Sequence, residues 1–347
     1  MTNSHKIRIA VDMMGGDFGL QITVPAALMA LSSNPQLYLI LVGDEIQIKQ
    51  AIADQKHDLD IENRITIVHS SQVVLMDDLP ITALRRKPDS SMRVALNLVK
   101  NNQAQACVSA GNTGALVVMA KYTLKTLPGI DRPALLYPVP SKDRFVSVLD
   151  LGANIDCTAE QLFQFAVMGA VLVSALENKH RPSIGLLNIG SEAIKGTEAI
   201  KSASKLISQS TELNYFGFVE GNDIYNAKVD LVVCDGFVGN VTLKVTEGVS
   251  KLIAYYIKQG FAQNLYTKLV AFLAKPILKK IFKRVNPGQY NGANLLGLNG
   301  VVIKSHGGAD AGAFCCAIMA AFLAATKNVP FLIREKVALQ LGNHAKV

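Results

Sequence analysis

Ile9-Ala10-Val11-Asp12-Met13-Met14-Gly15-Gly16-Asp17 sets a pattern that the rest of the chain repeats: a short apolar run, a polar residue where it stops, then a glycine turn. Such a run, too short for a helix and rich in β-branched residues, reads as a buried strand. Cys107-Val108-Ser109 leads likewise into Ala110-Gly111-Asn112-Thr113-Gly114, and Val148-Leu149-Asp150 into Gly152-Ala153-Asn154-Ile155-Asp156. Leu186-Leu187-Asn188 leads into Gly190-Ser191-Glu192 and then Lys195-Gly196. Val232-Val233-Cys234 leads into Asp235-Gly236-Phe237-Val238-Gly239-Asn240, and Val302-Ile303-Lys304 into Ser305-His306-Gly307.

Working outward, the runs predict strands at 7–12, 37–42, 65–69, 106–109, 134–138, 145–150, 183–188, 216–219, 231–234 and 300–304. Amphipathic stretches between them predict helices at 24–32, 91–100, 114–127, 159–178, 197–208, 240–257 and 310–327. Alternation of this kind calls for a three-layer αβα fold with a mostly parallel central sheet. No flexible linker, fixed-period repeat or low-complexity segment interrupts it, so residues 1–347 read as a single large α/β catalytic domain. Ligands of such sheets sit outside the carboxyl ends of the strands. Glycine there admits close backbone approach, and the helix that follows adds partial positive charge. Six such turns predict one polar, anion-tolerant cleft, formed where they converge on one rim of the sheet.

Composition narrows the function classes. The 347 residues are 50% hydrophobic and 18% charged, too apolar for intrinsic disorder. Met1–Arg8 lacks the apolar core of a signal peptide, and the apolar stretches Phe163–Leu176 and Phe314–Ala325 are short for a bilayer span. Five cysteines without C-x-x-C spacing predict buried thiols in a reducing compartment. A cytoplasmic globular protein is expected. Neither G-x-G-x-x-G nor G-x-x-x-x-G-K-[ST] occurs, so no dinucleotide or nucleotide cofactor is expected. Without H-E-x-x-H or a close His/Cys group no metal is expected, and without G-x-S-x-G no hydrolase-type serine.

The net charge of +8 is localised. No acidic residue occurs between Glu247 and Asp310, a gap holding nine lysines and arginines; outside it 26 basic residues face 27 acidic ones. Inside it, Leu265, Leu269, Leu273, Ile277, Ile281 and Val285 recur every four residues, with Lys268, Lys275 and Lys279 on another face. Residues 248–290 therefore read as a basic amphipathic helical protrusion, kinked or interrupted at Pro276. It suits an anionic membrane surface or an acidic protein, or else packing in a core or dimer interface; no nucleic-acid partner is expected.

These segments resemble the bacterial acyl-acyl-carrier-protein:phosphate acyltransferase family of phospholipid synthesis. Besides the turns quoted above, the likeness is carried by Ser90-Ser91-Met92-Arg93-Val94-Ala95-Leu96, by Pro128-Gly129-Ile130-Asp131-Arg132-Pro133-Ala134 and by Leu295-Leu296-Gly297-Leu298-Asn299-Gly300. It implies transfer of a long fatty acyl group from acyl carrier protein to inorganic phosphate, the acyl-phosphate passing to a membrane glycerol-phosphate acyltransferase. It also implies an isopropylmalate-dehydrogenase/phosphotransacetylase-like fold, a homodimer and peripheral membrane association. The sequence departs from the family pattern at Phe18, where His is common, at Asn291 and Asn294, which replace Gly and Pro, and at Ser191, where an acidic residue is frequent. Two other readings compete: a short-chain, coenzyme A-dependent enzyme of phosphotransacetylase type, and a non-catalytic membrane-surface scaffold.

Under the implied activity, phosphate is already anionic and attacks the thioester directly, needing positioning and charge shielding without a covalent enzyme intermediate. Ser109, Gly111, Asn112, Thr113 and Gly114 are expected to hold phosphate, Asn112 among the catalytic groups. Lys304 is expected to neutralise it, with Lys195 or Arg93 as second candidates. His306 is expected to serve the oxyanion or the leaving thiolate. Asp12, Gly15, Gly16, Asp150, Asn154, Asn188, Asp235, Gly236 and Asn240 complete the expected substrate-binding set. Lys268, Lys275 and Lys279 form the expected partner or membrane face.

Overall fold

The computed structural model describes residues 6–56, 59–285 and 291–344. Its first half comprises β1 (Ile7–Asp12), α1 (Leu20–Ser33), β2 (Leu37–Gly43), α2 (Glu45–Ala53), α3 (Leu59–Glu62), β3 (Ile65–His69), α4 (Pro80–Arg86), α5 (Ser91–Lys100), β4 (Ala106–Ser109) and α6 (Thr113–Leu124). The middle comprises β5 (Ala134–Pro140), β6 (Phe145–Leu149), α7 (Ala159–Glu177), β7 (Ser183–Leu187), α8 (Glu198–Gln209), β8 (Asn214–Val219), α9 (Gly221–Tyr225) and β9 (Leu231–Val233). The remainder is α10 (Gly236–Ala262), α11 (Leu265–Val285), β10 (Ala293–Leu296), β11 (Val301–Lys304), α12 (Ala311–Thr326) and α13 (Val329–His344).

Period-two alternation along the strands fills both faces of the sheet, in three hydrophobic clusters. Ile9, Val11, Leu39, Leu41, Ala106, Val108, Val301 and Ile303 face one side with α1, α7, α8 and α12. Ala10, Ile40, Val42, Cys107 and Val302 face the other with α5 and α6. The α7 run is long and apolar enough to cross a membrane, yet it lies largely buried in this core. Several helices begin where a polar side chain takes a first-turn amide: Asp44 before α2, Asn112 before α6, Thr158 before α7, Asp235 before α10 and Asp310 before α12.

The sheet has eleven strands among the described residues, in the order β3-β2-β1-β4-β11-β10-β5-β6-β9-β7-β8. Pairing is parallel except at β11–β10, β10–β5 and β5–β6. Three reversals are an odd number, so β6, β9, β7 and β8 run opposite to β1, β4 and β11. This corrects the expectation that all six turns share one rim. The turns after β1, β4 and β11 open on one edge of the sheet, and those after β6, β7 and β9 on the opposite edge. Strand β10, absent from the expected strands, makes two of the three antiparallel contacts.

Helices α10 and α11 follow one another across a two-residue break. Side chains of α11 from Leu265 to Lys280 are all exposed or half-buried, so α11 is not packed into this chain's own core. Pro276 lies inside α11 without ending it. The end of the predicted protrusion, residues 286–290, lies outside the described residues, as do the side chains of Ile281 and Val285.

At the amino ends of the reversed strands, Asp230 gathers charge from three directions. It accepts from the Ser183 amide and hydroxyl, each at 2.8 Å, from Lys179 Nζ at 2.8 Å and from Arg144. Burial raises its pKa but these donors outweigh it, holding the carboxyl down at about 2. A depressed carboxylate stabilises the fold above its unfolded pKa of about 3.9, and that contribution disappears as pH falls toward the folded value. Asp230→Asn should cost roughly 2 kcal/mol at pH 7 by urea titration, after allowing for the partly exposed lysine and arginine. The gap between variant and native protein should close between about pH 4 and pH 2; a gap independent of pH would contradict this assignment.

Candidate active site

The rim shared by β1, β4 and β11 is built around Asp12. Its carboxylate, buried at the end of β1, accepts from the Ser91 hydroxyl of α5 and the Ser109 hydroxyl of β4, both at 2.6 Å. The Met14 amide also reaches it at 3.3 Å, and burial pushes its pKa up against these donors. Ser109 in turn accepts from the Gly111 amide at 3.0 Å. Gly15 must be glycine here: a Cβ on it would lie 2.6 Å from Asp12 Oδ2 and 2.8 Å from the Gly111 nitrogen. The glycine turn after β1 is tied to the loop after β11 by the Asp17 amide, which donates to the Gly307 carbonyl at 3.0 Å.

Lys304 ends β11 beside this carboxylate. Its buried ammonium donates to the Ala110 carbonyl at 3.2 Å and to the Ser305 carbonyl. An ammonium carries three protons, and two of them have carbonyl acceptors here. Burial lowers the Lys304 pKa to about 8, while Asp12 and Asp17 oppose the fall and Lys244 adds to it. The group is therefore largely charged at neutral pH and titrates just above it.

His306 follows on the same loop. Its Nδ1 accepts from the Gly308 amide at 3.0 Å, leaving Nε2 to carry the proton of the neutral ring. The loop is held from behind by Asn291, whose Oδ1 accepts from the His306 amide at 2.9 Å while its Nδ2 donates to Ser305 Oγ and the Ala313 carbonyl. Asn291, noted from sequence only as a departure from pattern, is thus a buried anchor of the site loop.

Several expected residues take other roles. Asn112 was expected to act on substrate, but its Oδ1 caps α6 through the Ala115 amide at 3.0 Å and its Nδ2 donates to the Met76 and Asp78 carbonyls. It positions the turn after β4 and the 76–78 loop. Thr113 and Gly114 begin α6 at this rim, where first-turn amides have no acceptor within the helix. Arg93 stacks its guanidinium on the Tyr122 ring, 4.7 Å from the centroid. Phe18 is exposed and lines, with Gly15, Gly16, Ala110, His306 and Gly307, a void of about 10 Å³. That is room for one water and too little for a tetrahedral oxyanion.

The remaining candidates occupy the opposite rim, and most are engaged with one another. Buried Asp150 accepts from the Leu135, Ala153 and Asn154 amides and from Asn154 Nδ2, which also donates to the Pro133 carbonyl. Asp235 caps α10 through the Val238 amide at 2.8 Å, and the Gly236 amide donates to the Asn154 carbonyl at 2.7 Å. A Cβ on Gly239 would fall 1.9 Å from the Asp150 carbonyl oxygen, so α10 starts pressed against this loop. Asn240 packs over Gly152. Asn188 takes the Ile189 amide and donates to the Lys195 carbonyl, closing the turn that carries Lys195.

Helix α10 links the two rims. From Gly236 to Glu247 it rises about 17 Å at 1.5 Å per residue. There Glu247 Oε2 accepts from Lys244 Nζ at 3.1 Å, and Oε1 faces His306 Nε2 at 3.7 Å. Ser91, Asp17, Lys244 and Glu247 were not among the expected site residues. Ser91 stood within a quoted segment, whereas Lys244 and Glu247 carry no local signal, because helix length alone delivers them.

Comparison with known proteins shows the family and the fold. A family model described as "Fatty acid synthesis protein" matches residues 7–332. The chain is 56% identical to a phosphate acyltransferase of Nitrosococcus oceani over 93% of its length and 94% of that protein's. Its fold matches the EutD phosphotransacetylase of Staphylococcus aureus (TM-score 0.58, 16% identity, 93% and 94% coverage). It also matches the structure of a 4-hydroxythreonine-4-phosphate dehydrogenase homologue from Salmonella typhimurium (TM-score 0.52, 12% identity, 92% and 99% coverage).

Replacing Gly15 with Ala should lower acyl transfer to phosphate at least about tenfold while costing about 1–3 kcal/mol of stability, because the methyl group drives into Asp12 and the Gly111 amide. Activity retained in full would mean that the two turns can separate without harm. The family match over residues 7–332 and 56% identity to a phosphate acyltransferase across nearly the whole chain place this chain in the phosphate acyltransferase family of acyltransferases.

Proposed function

We propose that the acyl donor is a long-chain acyl-acyl carrier protein and that phosphate is bound at the Asp12–Ser109–Lys304 rim. The observation that carries this reading is the buried Lys304 ammonium, with one proton unassigned, beside the open first turn of α6. Two carbonyls hold the ammonium still, so its charge is aimed before the anion arrives. Thr113 and Gly114 amides add the partial positive charge of a helix N-terminus. A phosphate oxygen attacks the thioester carbonyl carbon, the carbonyl oxygen takes up negative charge, and the C–S bond breaks as the intermediate collapses to acyl-phosphate and thiolate. His306 Nε2–H, 3.7 Å from Glu247 Oε1 and not hydrogen-bonded to it, serves the oxyanion or protonates the departing sulfur.

Two features support the choice of donor. Lys268, Lys275 and Lys279 are exposed on α11, and Leu265, Leu269, Phe272, Leu273 and Ile277 are exposed beside them. Such a surface fits an acidic carrier protein and the anionic bilayer where a membrane glycerol-phosphate acyltransferase takes the product. In this reading the chain is cytoplasmic, peripherally bound to the membrane and a homodimer.

The phosphate assignment is tested by pH. As pH rises through about 8, native Lys304 loses its proton, and the KM for phosphate should climb toward tenfold per pH unit. Lys304→Arg keeps its charge throughout, so its KM should stay flat over that range even if kcat is lower. A native KM that does not change between pH 7 and 9.5 would place phosphate elsewhere.

The donor assignment is tested by charge. Reversing Lys268, Lys275 and Lys279 to Glu together should raise the KM for acyl carrier protein thioester about tenfold or abolish binding to anionic vesicles. Thiol release from palmitoyl-acyl carrier protein should greatly exceed release from acetyl-coenzyme A. The reverse preference would identify a short-chain enzyme, and no phosphate-dependent release from either would identify a scaffold.

A further inference from the structure

We propose that Glu247 of α10 is the positioning residue for His306, acting from an element that starts at the opposite rim of the sheet. This rests on the role of His306 proposed above and adds the group that faces its Nε2 and opposes the burial that keeps the ring neutral. Both ring nitrogens have a neighbour, an amide donor on Nδ1 and a carboxylate near Nε2 but beyond hydrogen-bond reach. Nδ1 takes the Gly308 amide at 3.0 Å, which directs Nε2 toward Glu247 Oε1 at 3.7 Å. The second Glu247 oxygen is held by Lys244 at 3.1 Å, one turn earlier on α10. The carboxylate is therefore fixed between a cation and the imidazole, with its side chain only 17% exposed.

Other groups facing His306 set the balance against which Glu247 works. Burial disfavours the imidazolium most; Glu247 and Asp17 favour it; Lys244 and Lys304 oppose it. Asp17 comes from the turn after β1 and Lys304 from β11, while Lys244 and Glu247 both come from α10. A helix anchored at Asp235 and Gly239 thus brings an opposing pair of charges to the site loop, and any displacement of α10 would move both.

Opposite signs make the test sharp. In the full-length protein, Glu247→Gln removes a favourable charge and should lower the His306 pKa by about 0.5–1 pH unit, read from labelled imidazole resonances. Lys244→Met removes an unfavourable charge and should move it upward. The pH–kcat limb assigned to His306 should move in the same direction in each variant, with the KM for phosphate changing less than twofold in Glu247→Gln. Glu247→Asp should restore the pKa in part. An unchanged imidazole titration in Glu247→Gln, or a shifted titration with a stationary pH–kcat limb, would overturn the proposal. Full activity of His306→Asn would instead overturn the role of His306, whatever the titration showed.

Discussion

The buried Lys304 ammonium is the constraint around which the rim of β1, β4 and β11 is organised. Removing a lysine from water is costly unless its protons find acceptors and its charge finds a counterpart. Here two carbonyls take two protons, and Asp12 and Asp17 supply the compensating field. Asp12 is itself buried and needs donors, which Ser91 and Ser109 provide. The chain of requirements explains why hydroxyls from α5 and β4, a carboxylate from β1 and an ammonium from β11 meet at one edge of three neighbouring parallel strands.

The same edge explains the glycines. The Gly15 turn passes so close to Asp12 and Gly111 that any side chain would displace the carboxylate from its donors. The polar atoms gathered here are not merely self-satisfied, as they are on the opposite rim. Asp150 has four donors turned inward, and Asn188 closes its own turn, so that rim braces the sheet and the start of α10. The Lys304 rim instead holds a buried ammonium with two carbonyl acceptors next to the turn that starts α6.

Much of this was legible in the sequence, and the omissions have physical causes. Strands β1, β3 and β4 match their predicted bounds, because each is a short, mostly apolar run with a polar stop. Lys304, Asp12 and Ser109 stand at such stops and His306 two residues past one, and the structure brings all four to the same rim. What local pattern could not show was direction. β10 is four residues, Ala293–Leu296, and reads as part of a loop; yet it and the β5–β6 pair reverse the second half of the sheet and divide the expected cleft. Nor could spacing show that Lys244 and Glu247 arrive at the first rim, since that depends on where α10 points. Asn112 misled for the opposite reason: a side chain that caps a helix looks the same in sequence as one that binds the ligand beyond it.

A crystal structure of the protein with phosphate, or with vanadate as a heavier tetrahedral oxyanion, tests the central claim most directly. The account predicts the anion above the glycine turns of the first rim, accepting from Lys304 Nζ and the first-turn amides of α6. Density for it at the Asp150–Asp235 rim instead, with Lys304 unliganded, would contradict the account.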